Sequence, residues 1–244
     1  MQYKESTWYG FRRIDFSFEG REALLVFPEK PRKEPRLAMK MLYFGEFVNT
    51  EVEMLKAGYH LCFVKPCDHW ACDDDCHRKA RFIDFLAEEF GLPRKVVAVG
   101  MSCGGFHAIM FASHHPEHLS FMYLDAPLLT FFSTRPHRLE EQKAWRLPEI
   151  QSSWGFKTYA EAYCYNGQPL HRLPEVVKHK IPLALVWGTS DEIVPPEENA
   201  EILRAIWEEA GAPIRAWERP SHGHHPHGLT DPTELLDFIE EAAL

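Results

Sequence analysis

Apolar residues along this chain fall in short, turn-bounded runs, separated by segments in which they recur every three or four positions. The runs at 23–27, 37–44, 61–64, 96–99, 119–124, 181–187 and 214–217 predict strands of a mostly parallel sheet. Residues 14–18 predict an opening antiparallel edge strand, which makes eight. Between the runs lie helical patterns. Over 79–90, Phe82, Phe85, Leu86 and Phe90 share one stripe, with Arg81, Asp84, Glu88 and Glu89 outside it. Over 197–210, Ile202, Leu203 and Ile206 face inward, and Gly211 follows as a residue that takes a left-handed cap cheaply. The last helix opens at Asp231-Pro232-Thr233-Glu234, an acid, a proline and a first-turn glutamate. Strand–helix alternation of this kind predicts an α/β fold with helices flanking the sheet.

Residues 127–180 break the alternation. The stretch is far longer than a normal crossover and carries Phe131, Phe132, Trp145, Trp154, Phe156, Tyr159, Tyr163 and Tyr165. Its length predicts a helical cap or lid inserted into a single domain spanning 1–244, against the plainer reading of an extra packing layer.

Composition narrows the function classes. With 244 residues, 45% of them hydrophobic, the chain can bury one sizeable core. A net charge of −9 and the absence of a long lysine/arginine cluster argue against nucleic-acid binding. The opening Met1-Gln2-Tyr3-Lys4-Glu5-Ser6 has no apolar run, so neither a signal peptide nor a membrane partner is expected. Six cysteines in such a chain read as reduced thiols of a cytoplasmic protein.

The most informative residues are Gly100-Met101-Ser102-Cys103-Gly104, set between the 96–99 strand and a helical segment that begins near Phe106. A G-x-S-x-G turn between strand and helix forces its serine into a strained conformation that presents the hydroxyl. Small residues two before and two after keep the strand and helix from colliding, and Gly105 adds room for close packing. A serine nucleophile needs a base, and the base needs an orienting acid. Asp191 follows the 181–187 strand, at the same sheet edge as Ser102, and could instead only cap its own turn. Asp125, at the end of the preceding strand, competes for the acid's role. The base must come from Ser221-His222-Gly223-His224-His225-Pro226-His227-Gly228. His224 is preferred because Gly223 lets the loop bend; His222 and His225 are its rivals. A shared metal ion on this histidine tract is the less favoured reading, and no metal or cofactor is expected.

Together the elbow, Gly188-Thr189-Ser190-Asp191 and His224-His225-Pro226-His227-Gly228 resemble the α/β-hydrolase superfamily, and within it the small bacterial serine hydrolases of the prolyl-oligopeptidase-like group. Tyr43-Phe44-Gly45-Glu46, Leu55-Lys56-Ala57-Gly58-Tyr59-His60, Asp125-Ala126-Pro127 and 194–199 extend the likeness over almost the whole chain. The resemblance implies an α/β-hydrolase fold with an eight-stranded sheet and a triad of Ser102, His224 and Asp191. It also implies an oxyanion hole of two backbone amides, Glu46 and Cys103, although Phe44-Gly45-Glu46-Phe47 departs from the usual His-Gly or glycine-rich loop. The implied reaction is hydrolysis of a small carboxylic ester, with deacylation of decorated saccharides suggested by the aromatic insertion. A prolyl-oligopeptidase-type peptidase and a non-catalytic binding protein are the rival functions; the chain has no space for the propeller of the first and keeps the triad that the second usually loses.

Cys67-Asp68-His69-Trp70-Ala71-Cys72-Asp73-Asp74-Asp75-Cys76-His77 is the remaining unusual stretch. Its cysteine spacing suits a zinc knuckle poorly, and it reads instead as a solvated loop bordering the mouth of the site.

Overall fold

The computed structural model describes residues 2–243. Nine strands form one sheet: β1 (Lys4–Trp8), β2 (Phe11–Phe18), β3 (Arg21–Val26), β4 (Arg36–Lys40), β5 (Tyr59–Val64), β6 (Val96–Met101), β7 (Leu119–Asp125), β8 (Leu183–Gly188) and β9 (Ile214–Arg219). Their order is β1-β2-β3-β5-β4-β6-β7-β8-β9. The first three strands run antiparallel, β3 pairs antiparallel with β5, and every pairing from β5 through β9 is parallel. This is the α/β-hydrolase architecture. The sheet holds nine strands rather than eight, and the edge belongs to β1, not to the strand at 14–18. Lys4-Glu5-Ser6-Thr7-Trp8 is mostly polar and exposed, so it lacks the apolar run by which buried strands are recognised.

Eight α-helices accompany the sheet: α1 (Asn49–Lys56), α2 (Asp73–Phe90), α3 (Cys103–His114), α4 (Pro136–Trp154), α5 (Tyr159–Tyr163), α6 (Pro169–Val176), α7 (Ala200–Glu209) and α8 (Thr233–Ala242). The core divides by strand parity, because successive side chains of a strand point to opposite faces. Val96, Ala98, Met122, Leu124, Leu183 and Leu185 face Phe82 and Leu86 of α2, Phe106 and Ile109 of α3, Leu173 of α6 and Trp207 of α7. Val97, Val99, Phe121, Tyr123, Ala184 and Val186 face Met54 and Leu55 of α1 and Leu235, Phe238 and Ile239 of α8. With both faces covered, the central strands are buried throughout, and their sequences are continuous apolar runs.

Several element ends differ from the sequence expectation. Helix α2 starts six residues earlier, because Asp73, Asp74 and Asp75 occupy its first turn, where carboxylates favour the helix dipole. The strand expected at 37–44 ends at Lys40, and the chain from Tyr43 turns with a positive φ of 54°. Residues 127–180 carry α4, α5 and α6, and α6 packs on α3. Among the described residues no helix is long and apolar enough to cross a membrane.

Candidate active site

Ser102 stands between β6 and α3 with φ 52° and ψ −121°, a left-handed conformation that costs an L-residue about 1–3 kcal/mol. The surrounding backbone holds it there. The Ser102 amide donates to Asp125 O at 3.0 Å, and Ser102 O accepts from Leu128 at 2.9 Å and Gly105 at 2.9 Å. Two of the three glycines are sterically required. A Cβ at Gly100 would lie 2.4 Å from Gly104 O, and one at Gly105 would lie 2.3 Å from Pro127 Cβ. Gly104 is the exception: a Cβ there would meet only Leu42, at an ordinary 3.6 Å.

The structure brings Ser102, His224 and Asp191 together. His224 Nε2 is 3.0 Å from Ser102 Oγ, and its Nδ1 is 2.6 Å from Asp191 Oδ2. His224 and Asp191 are buried and Ser102 is half-buried. Asp191 also caps its own turn, since its Oδ1 accepts from the amides of Ile193 (2.9 Å) and Val194 (2.8 Å). These bonds fix the carboxylate so that the other oxygen faces the imidazole. His224 arrives on the loop after β9, which crosses the end of β8: the Ser190 amide donates to His222 O at 2.9 Å. A Cβ on Gly188 would lie 2.3 Å from that carbonyl, so the crossing requires glycine at 188. Gly223 is not where the loop bends; the left-handed residue is Ser221, with φ 61°. The His222 ring is exposed, and its Nδ1 lies 3.1 Å from Pro220 O, away from Ser102 and Asp191.

A second histidine–aspartate pair lies beside the first. His227 Nδ1 is 3.0 Å from Asp125 Oδ1, and both are buried. Asp125 also accepts from the Gly228 amide at 2.5 Å and lies 3.5 Å from Arg219 Nη2. The His227 and His224 rings are 4.7 Å apart, centre to centre.

The two amides expected for an oxyanion hole fare differently. Cys103 is the first residue of α3, where no intrahelical acceptor exists for its N–H. Its thiol is buried, and desolvation pushes its pKa up. The Glu46 amide donates to Tyr43 O at 3.1 Å inside a turn, and its side chain is exposed. The donor expected from the family's loop is therefore already spent. The β4–β6 register ends with Lys40 opposite Val99 and the Met41 amide on Val99 O, and Tyr43 stands in the turn just beyond it. Among the described residues the Tyr43 amide makes no hydrogen bond. Its phenol, driven upward in pKa mainly by burial, lies beside the Cys103 thiol. The segment Tyr43-Phe44-Gly45-Glu46 points to this turn, but only the turn's own hydrogen bond, which consumes the Glu46 amide, singles out Tyr43. Below this loop a buried ion pair, Lys40–Glu51, holds the turn, and Lys40 Nζ also reaches Glu46 O at 3.4 Å.

Leu42 and Tyr43 line one wall of a cavity of about 570 Å³, completed by Phe63, Cys67, Asp68, His69 and Glu149. Neither Ser102 nor His224 lines it, so it does not enclose the serine. Glu149 of α4 ties the loop after β5 to the insertion, accepting from Trp70 Nε1 and contacting His69 Nδ1, each at 2.8 Å. Trp154 Nε1 donates to Trp70 O at 2.9 Å. In the same loop Cys67, Cys72 and Asp75 have ligand-type atoms within 4.8 Å of one another. Cations already occupy that cluster: Arg21 Nη2 is 2.8 Å from Cys67 Sγ, and Arg78 Nη1 is 3.0 Å from Asp75 Oδ1.

The family model for the alpha/beta hydrolase fold matches residues 68–176. No curated protein sequence matches this chain. Among solved structures it is similar to MGS-MChE2, an alpha/beta hydrolase enzyme from the metagenome of lagoon sediments at Mar Chica, Morocco. The TM-score is 0.61 at 15% identity, covering 94% of this chain and 99% of that one. It is also similar to an S-formylglutathione hydrolase from Agrobacterium tumefaciens, with a TM-score of 0.62, 12% identity, and coverage of 99% and 96%. A candidate dipeptidyl aminopeptidase IV from Bacteroides ovatus gives a TM-score of 0.66 at 13% identity over 98% of this chain, which spans only 35% of that one.

Proposed function

We propose that this chain, which has the α/β-hydrolase fold, is a cytoplasmic serine hydrolase that cleaves small carboxylic esters through an acyl-enzyme. One observation carries the reading: hydroxyl, imidazole and carboxylate form an unbroken line, with Ser102–His224 at 3.0 Å and His224–Asp191 at 2.6 Å. Asp191 accepts a hydrogen bond from the Nδ1–H of His224, which holds the proton on Nδ1 and leaves the Nε2 lone pair to take the Ser102 proton. The serine oxygen then attacks the acyl carbon. The Cys103 and Tyr43 amides stabilise the oxyanion, with Tyr43 in the place first assigned to Glu46. His224 returns the proton to the leaving alcohol, and water releases the acyl group by the same steps. The scheme needs no metal or organic cofactor.

Full-length similarity to an S-formylglutathione hydrolase favours a small substrate over a peptide, since the dipeptidyl aminopeptidase candidate is a much longer chain. Deacylation of a decorated saccharide is the finer version of the same chemistry, and the insertion supports it less than its composition promised. Its aromatic rings are largely spent on one another, as in Phe131–Trp154 (5.5 Å) and Phe132–Tyr159 (5.0 Å), leaving Trp145 and Tyr163 exposed. A fluorophosphonate probe should label Ser102, and p-nitrophenyl acyl esters of graded length should be turned over alongside acetylated sugars. Absence of labelling in folded protein would leave a binding module as the answer; faster turnover of peptide amides would make it a peptidase.

A further inference from the structure

We infer that the loop after β9 is a site for a transition-metal dication of the zinc class, held by His224, His225 and His227, and that a bound ion withdraws His224 from Ser102. The three rings form a compact triangle, with centres 4.7, 4.8 and 5.1 Å apart and planes 70–89° from one another. One ligand atom from each lies within 4.8 Å of the other two. Three imidazoles on a tetrahedral ion, at about 2.0–2.1 Å per bond, bring their nitrogens to spacings of about 3.3 Å, which requires small ring rotations.

The orientation of two rings is the stronger argument. Histidines that bind metals almost always donate their other ring N–H to a carboxylate or carbonyl, which fixes the tautomer and raises ligand basicity. His224 and His227 each spend Nδ1 on a buried carboxylate, Asp191 at 2.6 Å and Asp125 at 3.0 Å. Nε2 is thereby the lone-pair atom on both. His225 is the exposed member, held by stacking on Phe47 at 5.5 Å and 12°. The local charge also favours a cation: two carboxylates, Asp191 and Asp125, stand behind the imidazoles against one guanidinium, Arg219, 3.5 Å from Asp125. An all-imidazole set selects Zn²⁺, Co²⁺, Ni²⁺ or Cu²⁺ over Mg²⁺ and Ca²⁺.

Coordination would use the Nε2 lone pair that otherwise accepts the Ser102 hydroxyl proton at 3.0 Å. At His224 a hydrogen bond to the Ser102 hydroxyl is exchanged for a metal bond. The inhibitory consequence rests on the serine-hydrolase reading, whereas binding itself does not.

Two other groups could take up the same ion: His115, Glu117 and His118 beyond the far end of α3, and Cys67, Cys72 and Asp75. The test therefore uses the full chain carrying His115→Ala and Cys67→Ser. Titration calorimetry with Zn²⁺ at pH 7.5 should find one site in this background, weakened at least tenfold by His225→Ala and by His224→Ala. In the esterase assay Zn²⁺ should inhibit, EDTA should reverse it, and His225→Ala should need at least tenfold more Zn²⁺, each rate being normalised to its own metal-free value. No site in the background protein, unchanged affinity in His225→Ala, or acceleration by Zn²⁺ would overturn the proposal. If the chain turns over no ester, the hydrolase reading falls, and the calorimetric comparison of His224→Ala and His225→Ala still decides the metal site.

Discussion

Two histidine–aspartate pairs sit side by side at the ends of β7 and β8, and they are built almost alike. In both, a buried carboxylate meets Nδ1 of a buried histidine from the loop after β9, at 2.6 Å for Asp191–His224 and 3.0 Å for Asp125–His227. They differ at the far nitrogen. His224 Nε2 faces the Ser102 hydroxyl, while His227 Nε2 makes no hydrogen bond among the described residues. The carboxylates differ too. Asp191 divides its oxygens between the imidazole and its own turn, and Asp125 gathers His227, the Gly228 amide and Arg219. A His–Asp contact by itself therefore does not identify a base. The group beyond the imidazole decides whether the pair can move a proton or only anchors a loop.

The sharpest break in this comparison is Ser102→Ala. If the first pair works on Ser102, kcat should fall by about 10⁶ with the fold retained, measured by ester turnover and thermal unfolding. Retention of more than a trace of turnover would erase the distinction between the pairs. Next is the exchange of acids. Asp191→Asn should cost about 10⁴ in kcat by holding the wrong tautomer of His224. Asp125→Asn should cost less than about tenfold in kcat, and about 1.5–3 kcal/mol of stability through its weakened bonds. A larger kcat loss at Asp125 would reverse the roles assigned here.

A buried ion pair without a histidine gives a smaller effect. Lys40→Met leaves Glu51 uncompensated beneath the Tyr43 turn and should destabilise the fold by about 3–5 kcal/mol; a compensating Glu51→Leu should recover most of it in denaturant titrations. The smallest effect concerns a buried histidine backed by an ammonium instead of a carboxylate. His107 Nδ1 is 3.0 Å from Lys79 Nζ, and its pKa is driven down first by burial and then by that charge. The unfolded chain binds this proton near pH 6.5 and the folded chain does not. The stabilising contribution is thus complete above that pH and is lost as pH falls. His107→Gln should flatten the decline in stability between pH 6.5 and 5 by up to about 1.4 kcal/mol per pH unit. An unchanged slope would show that His107 takes up a proton in the fold.

Much of the architecture was legible locally. The apolar runs at 96–99 and 181–187, covered on both faces by helices, could hardly be anything but central strands. Gly100 and Gly105 advertise a turn at Ser102 that only small residues permit. The polar edge strand β1 escaped, because an exposed edge imposes no apolar pattern on its residues. The start of α2 escaped because three aspartates read as a loop until they are seen to lie on the helix dipole.

By itself the chain determined its fold class, the strained serine and the loops from which acid and base would come. Those follow from burial patterns and steric allowances that act over a few neighbouring residues. Tertiary structure alone decided which of several similar groups meet. Four histidines in eight residues, and two aspartates at neighbouring strand ends, are nearly equivalent in sequence. Their partners are set by the passage of the loop over Gly188, a contact between residues 188 and 222. The Glu46 amide likewise looked available until the chain turned at Tyr43 and consumed it. Hydrogen bonds are directional over a few tenths of an ångström, and such distances are set by the packing of remote segments, which no local pattern encodes.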